Sequence, residues 1–292
     1  MISQHSNRNE ANAQVPCKAD LHCHSYYSDG SHSPSELLER ARRQNLSHLA
    51  ITDHDCTAAF SEVSSEPGLT LIPGVEISSD WNEHEIHVVG LGIEVAHPIL
   101  VQLLSRQQDR RNQRLRAIGQ KLEKIGIDGL ADYLDALPCQ ARTRSHVAGF
   151  LVRRGVCKNQ QQAFKRYLSR RGRAYVAADW CPLATAVEAI REAGGISVLA
   201  HPGRYPLSRL KLSSLLEDFR LAGGDAMETT YGNIDPLLQK RLQELALSHG
   251  LHQSQGSDFH SSEAHWTELG KFPALPWSGT KNAIWHHPRW HF

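Results

Sequence analysis

No apolar run in this 292-residue sequence approaches the roughly 18 residues of a membrane-spanning helix, so none is expected. The opening sixteen residues, MISQHSNRNEANAQVP, lack the apolar core of a secretion signal. Residues 1–16 therefore read as a flexible polar lead-in, and the chain as cytoplasmic. The six cysteines, at 17, 23, 56, 139, 157 and 181, include no CxxC pair and no closely spaced framework, which argues against disulfides and thiolate-bound zinc. A G-x-S-x-G turn and a reactive-cysteine setting are also missing, so nothing proposes a protein nucleophile. Internal repeats and low-complexity tracts are absent.

Histidine is abundant, at 18 residues, while hydrophobic content of 40% and charged content of 22% are ordinary for a soluble globular protein. The length permits one α/β barrel domain or two smaller domains. A formal charge of +1 hides an asymmetry: residues 101–175 hold 17 Lys+Arg against 5 Asp+Glu. Such a split suggests that one part binds cations while the other attracts an anion.

Residues 17–100 alternate short apolar strands with helical patterns, the signature of βα units around a parallel sheet. Strands are expected at 18–24, 48–53, 69–77 and 86–93. Ser33 as N-cap, Pro34 at the first helical position and Glu36 completing a capping box predict a helix running to about Asn45. From Ile99 the sequence becomes Arg- and Gln-rich and helical, with breaks near Gly126–Gly129 and Pro138. The alternation resumes after Tyr175: helices at about 183–193, 212–222 and 236–249, and strands at 196–201, 226–229 and a last one ending at Asp258.

In "KADLHCHSYYSDG", Lys18 to Gly30, His22 and His24 sit one residue apart on a strand. Both imidazoles then point to one face while Cys23 points away. Six histidines and three carboxylates recur near strand ends: His22, His24 and Asp29 at the first, His54 after the second, Glu76 and His87 in the next two, His201 after "SVLA", Asp258 and His260 at the last. In barrels of βα units the carboxyl ends of the strands share one mouth, where active sites lie. One such residue alone is most often a cap or a hydrogen-bonding group. Nine at one mouth without a cation would form a costly buried polar cluster.

The segments "DLHCHSYYSDG", "ITDHD", "PGVEIS", "HEIHVVGLGI", "LAHPGRY" and "GSDFH" resemble, in order and spacing, the successive motifs of the PHP (polymerase and histidinol phosphatase) family of metal phosphoesterases. The resemblance covers residues 17–100 and 196–260. It implies an α/β fold, a distorted (β/α)7 barrel over 17–100 and 176–292, with a basic helical insertion over 101–175. The insertion and its "TRSHVAGFLVRRG" segment most resemble the RNase AM subgroup, which acts on 3′,5′-nucleoside bisphosphates and as a 5′-to-3′ exoribonuclease.

The resemblance implies a trinuclear site. His22, His24, Glu76 and Asp258 would hold one ion, Glu76 would bridge to a second held by His87 and His201, and Asp29, His54 and His260 would hold the third. "HEIHVVG" places His87 rather than His84 at the family position, leaving His84 to the surface. Mixed imidazole and carboxylate donors without thiolate suit Mn²⁺, the ion expected here, or Fe²⁺ or Zn²⁺. The catalytic group would be a hydroxide bridging the ions, with no protein nucleophile. Asp20, Asp53 and Asp55 lie beside ligands and could orient imidazoles, although for Asp53 turn capping is an equal reading.

Arg106, Arg110 and Arg114 repeat every four residues, stacking like charges on one helical face. A solvated face is the plainer reading; in a basic insertion beside the mouth they would draw in a phosphate-rich substrate. Arg144, His146 and Arg204 are the candidates for binding the non-reacting phosphate, a task suited to guanidinium. Tyr26, Tyr27 and Tyr231 either stack on a base or fill the rim, and His286, His287 and His291 in the tail "IWHHPRWHF" belong to a packed or exposed terminus. The expected partners are a nucleotide or short RNA, with no membrane and no obligatory protein partner. The rival functions are a small-molecule phosphomonoesterase of histidinol phosphatase type, a non-catalytic nucleic-acid- or polymerase-binding module, and a structural metal barrel.

Overall fold

The first helix, α1 (Pro34–Arg43), starts where its sequence dictates. The Glu36 amide donates to the Ser33 hydroxyl, and the Ser33 amide donates back to the Glu36 carboxylate. This computed structural model describes residues 18–263, 267–276, 280 and 282–292; the lead-in over 1–16 and Cys17 fall outside the described residues.

Seven strands form a nearly closed barrel. They are β1 (Ala19–Asp20), β2 (His48–Ile51), β3 (Thr70–Trp81), β4 (His84–Leu91), β6 (Ile196–Leu199), β7 (Ala226–Tyr231) and β8 (His252–Gly256), hydrogen-bonded in that order. A two-residue strand, β5 (Cys181–Pro182), pairs with β3 off this path. Beyond β1 the chain stays extended long enough for Cys23 to bridge Phe259 and for the Leu21 amide to donate to Gln255 at 3.3 Å, which brings the last strand back to the first. Gly256 permits that closure, because a Cβ there would lie 2.4 Å from the His22 Cβ.

The parallel sheet expected from βα alternation is correct at β1–β2, β2–β3, β6–β7 and β7–β8. At β4 it is not. β3 and β4 form an antiparallel hairpin, and β4 pairs antiparallel with β6. The two turn residues, Asn82 and Glu83, both take positive φ, 49° and 62°, as a tight hairpin requires.

The reversal sets the route of the next segment. β4 delivers the chain to the barrel's closed end, and the 26-residue helix α2 (Pro98–Glu123), about 39 Å long at 1.5 Å per residue, carries it back past the mouth. Leu100, Leu103 and Leu104 pack into the barrel's outer core with Val187 and Ile190. Leu115, Ile118 and Leu122 belong to a separate apolar cluster with Leu130, Val147 and Leu151. That cluster is completed by α3 (Leu130–Asp135), α4 (Arg144–Arg153), α5 (Gln160–Ala163) and a π-helical turn, Phe164–Leu168. The barrel resumes with α6 (Leu183–Glu192), α7 (Arg209–Leu221) and α8 (Pro236–Ser248). The closed end is sealed by Ile284, Trp285, Trp290 and Phe292, packed with Leu21, Ile72 and Ile196. His286 and His291 in this tail are exposed, and His287 lies 3.3 Å from Asp225.

The five described cysteines are free and buried. Among the described residues no helix is long and apolar enough to cross a membrane.

Candidate metal centre

The ends of β1, β2, β6 and β8 and the hairpin of β3 and β4 bring all nine predicted ligands to one mouth. The tightest group is His22, His24, Glu76 and Asp258. His22 Nε2 lies 3.2 Å from His24 Nε2, 3.4 Å from Glu76 Oε2 and 3.5 Å from Asp258 Oδ1. His24 Nε2 lies 3.3 Å and 3.4 Å from the same two oxygens. Donors about 2.1 Å from a tetrahedral divalent ion stand about 3.4 Å from one another, so this spacing fits one. The other Glu76 oxygen, Oε1, faces His87 Nδ1 at 2.9 Å and His201 Nε2 at 3.0 Å. Asp29 Oδ1 faces His260 Nε2 at 3.2 Å and His54 Nε2 at 3.7 Å, while His54 Nδ1 turns toward Glu76 Oε2 at 3.0 Å. His54 thus stands between the second group and the third.

Orphaned atoms test whether these residues fit cations. Asp29 Oδ1, Glu76 Oε2 and His54 Nδ1 are buried and, although imidazole nitrogens closely face both oxygens, none of the three makes a well-directed hydrogen bond. Unsatisfied buried groups cost about 1–3 kcal/mol each, more for a charge, and bound ions would relieve them. The electrostatics agree. Burial works against the charged form of Glu76, yet His87, His54 and His22 hold its carboxyl well below the usual range. Asp258 is likewise held low against burial by His22 and Arg204. Burial drives His54 down to about 4, leaving a neutral imidazole with a free lone pair. For His24 burial is outweighed by Asp258 and Glu76, which lift it to about 9. Protons on imidazoles here supply positive charge that the carboxylates demand.

The backbone is strained where it aims these groups. His201 and Asp258 take φ of 29° and 53°, and Asp55, beside His54, takes 44°, conformations that persist when surrounding contacts enforce them.

The orienting partners differ from those expected. Glu228, buried in β7, accepts from His22 Nδ1 at 2.7 Å and from the His201 amide at 2.6 Å, so one carboxylate aims two candidate ligands. Asp53 accepts from the Ser25 amide and hydroxyl and from the Ser28 hydroxyl, capping the turn; it reaches His24 only through Ser28. Asp20 serves backbone amides, and Asp55 takes the Ser78 amide and Arg111, so neither orients an imidazole. Tyr205 accepts from the His87 amide and donates to the Ala200 carbonyl.

A cavity of about 250 Å³ opens over this nest. Its far wall carries Arg111, Arg114, Arg142 and Arg144, and Arg204 stands on the near side, paired with Asp258. The structure brings the predicted Arg144 and Arg204 to the cleft and does not bring His146 there: its Nδ1 accepts from the Thr143 amide at 2.9 Å, capping α4. The α2 residues that line the cleft are Arg111, Arg114 and Leu115, so of Arg106, Arg110 and Arg114 only the last reaches it, and Arg106 is exposed. Arg111 and Arg114 both lie over Trp180, at 4.9 and 5.5 Å from its ring centre. Arg114 Nη2 is buried without a partner. Tyr26 and Tyr27 both donate to Glu62, while Tyr231 lies buried beneath the Arg204 guanidinium.

Glu85 ties Arg114 and Arg144 together, at 2.8 and 2.9 Å. Burial opposes its charge, but the two guanidiniums hold it at about 2. A carboxyl lowered on folding adds stability above its ordinary value of about 4.5, and that contribution disappears as pH falls toward 2. Urea unfolding at pH 7 and pH 3 should therefore show wild type losing more stability over this interval than Glu85→Gln. Equal losses would refute the pairing.

A nearly closed α/β barrel with a nest of imidazoles and carboxylates at its mouth defines a candidate metal-dependent hydrolase. The chain belongs to the PHP domain family, whose model matches residues 20–176; His201, Asp258 and His260 lie beyond that match. A 5′-3′ exoribonuclease, Rnm, of Escherichia coli (strain K12) is 42% identical over 278 residues, 92% of this chain and 94% of that protein. A 3′,5′-nucleoside bisphosphate phosphatase of Chromobacterium violaceum is 38% identical over 266 residues, 88% of this chain and 92% of that protein. The solved structure of an amidohydrolase from Chromobacterium violaceum, with bound sulfate and no metal, superposes with a TM-score of 0.85 at 36% identity, covering 92% of this chain and 95% of that one.

Proposed function

We propose that this protein is a metal-dependent phosphoesterase that removes the 3′-phosphate of 3′,5′-nucleoside bisphosphates and degrades short 5′-phosphorylated RNA from its 5′ end. One observation carries the reading: five arginines line the same cavity as the imidazole–carboxylate nest. The cavity therefore suits a molecule with one phosphate to react and another to be held. The exoribonuclease and bisphosphate phosphatase names of the two relatives support the same substrates.

Each group of residues would have its own task. His22, His24, Glu76 and Asp258 would hold one divalent ion, Glu76, His87 and His201 a second, and Asp29, His54 and His260 a third, with Mn²⁺ the fitting ion for these donors. Such ions supply an activated water and charge stabilisation of the leaving oxygen in an in-line displacement. Glu228 keeps His22 and the His201 backbone in place, and Thr143 donates to Asp29 at 3.0 Å. Arg144 and Arg114 would take the non-reacting phosphate through their free N–H groups, while Arg204, held by Asp258, would meet the reacting one. The helical segment over 101–175 would act as the substrate-recruiting cap, in a cytoplasmic enzyme whose partners are nucleotides or short RNA.

Metal-loaded protein should release phosphate from adenosine 3′,5′-bisphosphate and shorten 5′-phosphorylated RNA, with little action on histidinol phosphate. The opposite preference would mean a histidinol phosphatase-type enzyme. Arg144→Ala should raise KM for the bisphosphate by about 10- to 100-fold, the value of a charge-assisted hydrogen bond, and leave kcat nearly unchanged. An unchanged KM would remove Arg144 from phosphate binding.

A further inference from the structure

Beside the cleft, between α2 and α3, lies a second cavity of about 420 Å³. Leu115 and Arg142 line both spaces, so the two are neighbours across one shared wall. Their chemistry differs. The cleft is crowded with charge, whereas the floor of the second cavity is Leu115, Leu130 and Leu134, each less than a tenth exposed. Gly119 opens the floor: a Cβ there would touch only Leu130 Cδ2, at 3.6 Å. Two amides, Asn112 and Gln120, stand around it, and their side chains make no hydrogen bond to the protein among the described residues. The four charged residues of the lining sum to zero, Arg142 pairing with Asp135 at 2.9 Å and Arg116 and Glu123 carrying opposite charges.

A neutral slot with an apolar floor and amide edges offers little to a phosphate. It suits a flat, uncharged group with hydrogen-bonding edges, which is how proteins take up a nucleobase. The shared wall with the arginines says what that base is attached to. We infer that this slot holds the nucleobase of the nucleotide whose phosphates occupy the arginine-lined cleft. The inference rests on the phosphoesterase reading above and adds to it a means of telling nucleotides from other phosphate esters.

Gly119→Leu fills the slot, and leucine suits a helix better than glycine, so the fold is kept. Adenosine 5′-monophosphate and ribose 5-phosphate, titrated into the metal-loaded full chain, differ only by the base. Wild type should bind the first at least about tenfold more tightly, the worth of burying roughly 60 Å² of apolar base surface against the leucine floor. Gly119→Leu should bring that ratio close to one with ribose 5-phosphate affinity unchanged, and the exposed change Gln120→Ala should lower it partway. Equal affinities in wild type, or an undiminished ratio in Gly119→Leu, would overturn the slot. Wild type that binds neither compound would overturn the phosphoesterase reading and the slot with it.

Discussion

Replacing Glu76 by glutamine is expected to abolish bound metal and turnover together, each by more than about a hundredfold, because losing even an orienting partner of a metal ligand costs about 10- to 100-fold. One carboxylate faces five imidazoles: Oε2 toward His22, His24 and His54, and Oε1 toward His87 and His201. Glutamine keeps the shape but replaces one oxygen by an NH₂ group, which cannot accept a cation and turns donors against imidazoles. The chelated protein should also lose stability, by about 3–5 kcal/mol, since buried imidazolium charge is left without its counter-ion. Elemental analysis for ion content, phosphate release and thermal melting in chelator test the three effects separately. A variant with a full complement of ions and wild-type turnover would end the case for Glu76 as the common ligand.

The second large effect is expected away from the nest. Arg111 donates to Asp55 at 2.7–2.8 Å and to the Ser78 hydroxyl at 2.7 Å, beneath the Trp180 ring. Asp55 is fully buried, and its other partners are the Ser78 amide at 3.0 Å and a long contact to Gln107 at 3.5 Å. Arg111→Ala therefore leaves a buried carboxylate without its counter-ion, at a cost of about 3–5 kcal/mol. For a chain of this size that lowers Tm by about 10 °C. Adding Asp55→Asn should restore part of the loss, because the two changes share one interaction. A single variant melting within about 1 °C of wild type, or a double variant no better than the single, would show that the pair does not hold the helix to the barrel.

The ligand motifs are readable because strand ends in a βα barrel share a mouth, so six separate stretches can be placed together without coordinates. The capping box at Ser33 and Glu36 is readable because both halves lie within four residues. The β3–β4 hairpin is not: its turn is Asn82–Glu83, and glutamate at the second position hides a conformation that glycine usually announces. Glu228 hides in "AMETTY", although a buried acid in mid-strand always needs a partner. Arg111 escapes for a related reason. Leu100, Leu104, Leu115, Ile118 and Leu122 mark the buried stripe of α2, and Gln107 and Arg111 fall in its phase. A guanidinium inside an apolar stripe is a stronger signal than a row of arginines spaced by four. His146 shows the converse, since three residues after Thr143 it is well placed to cap a helix, and its Nδ1 does so.

Because β4 runs backwards, a single rod joins barrel and arginines, with Leu104 embedded at one end and Leu115 at the other. Each residue of an α-helix turns everything beyond it by about 100°. The bearing of Arg111 and Arg114 on the metal mouth is therefore geared to the count of residues between those two leucines. Insertions there are compatible with the present arrangement only in whole turns, so the gap between these arginines and the imidazole–carboxylate nest is set by helical pitch rather than by loop length.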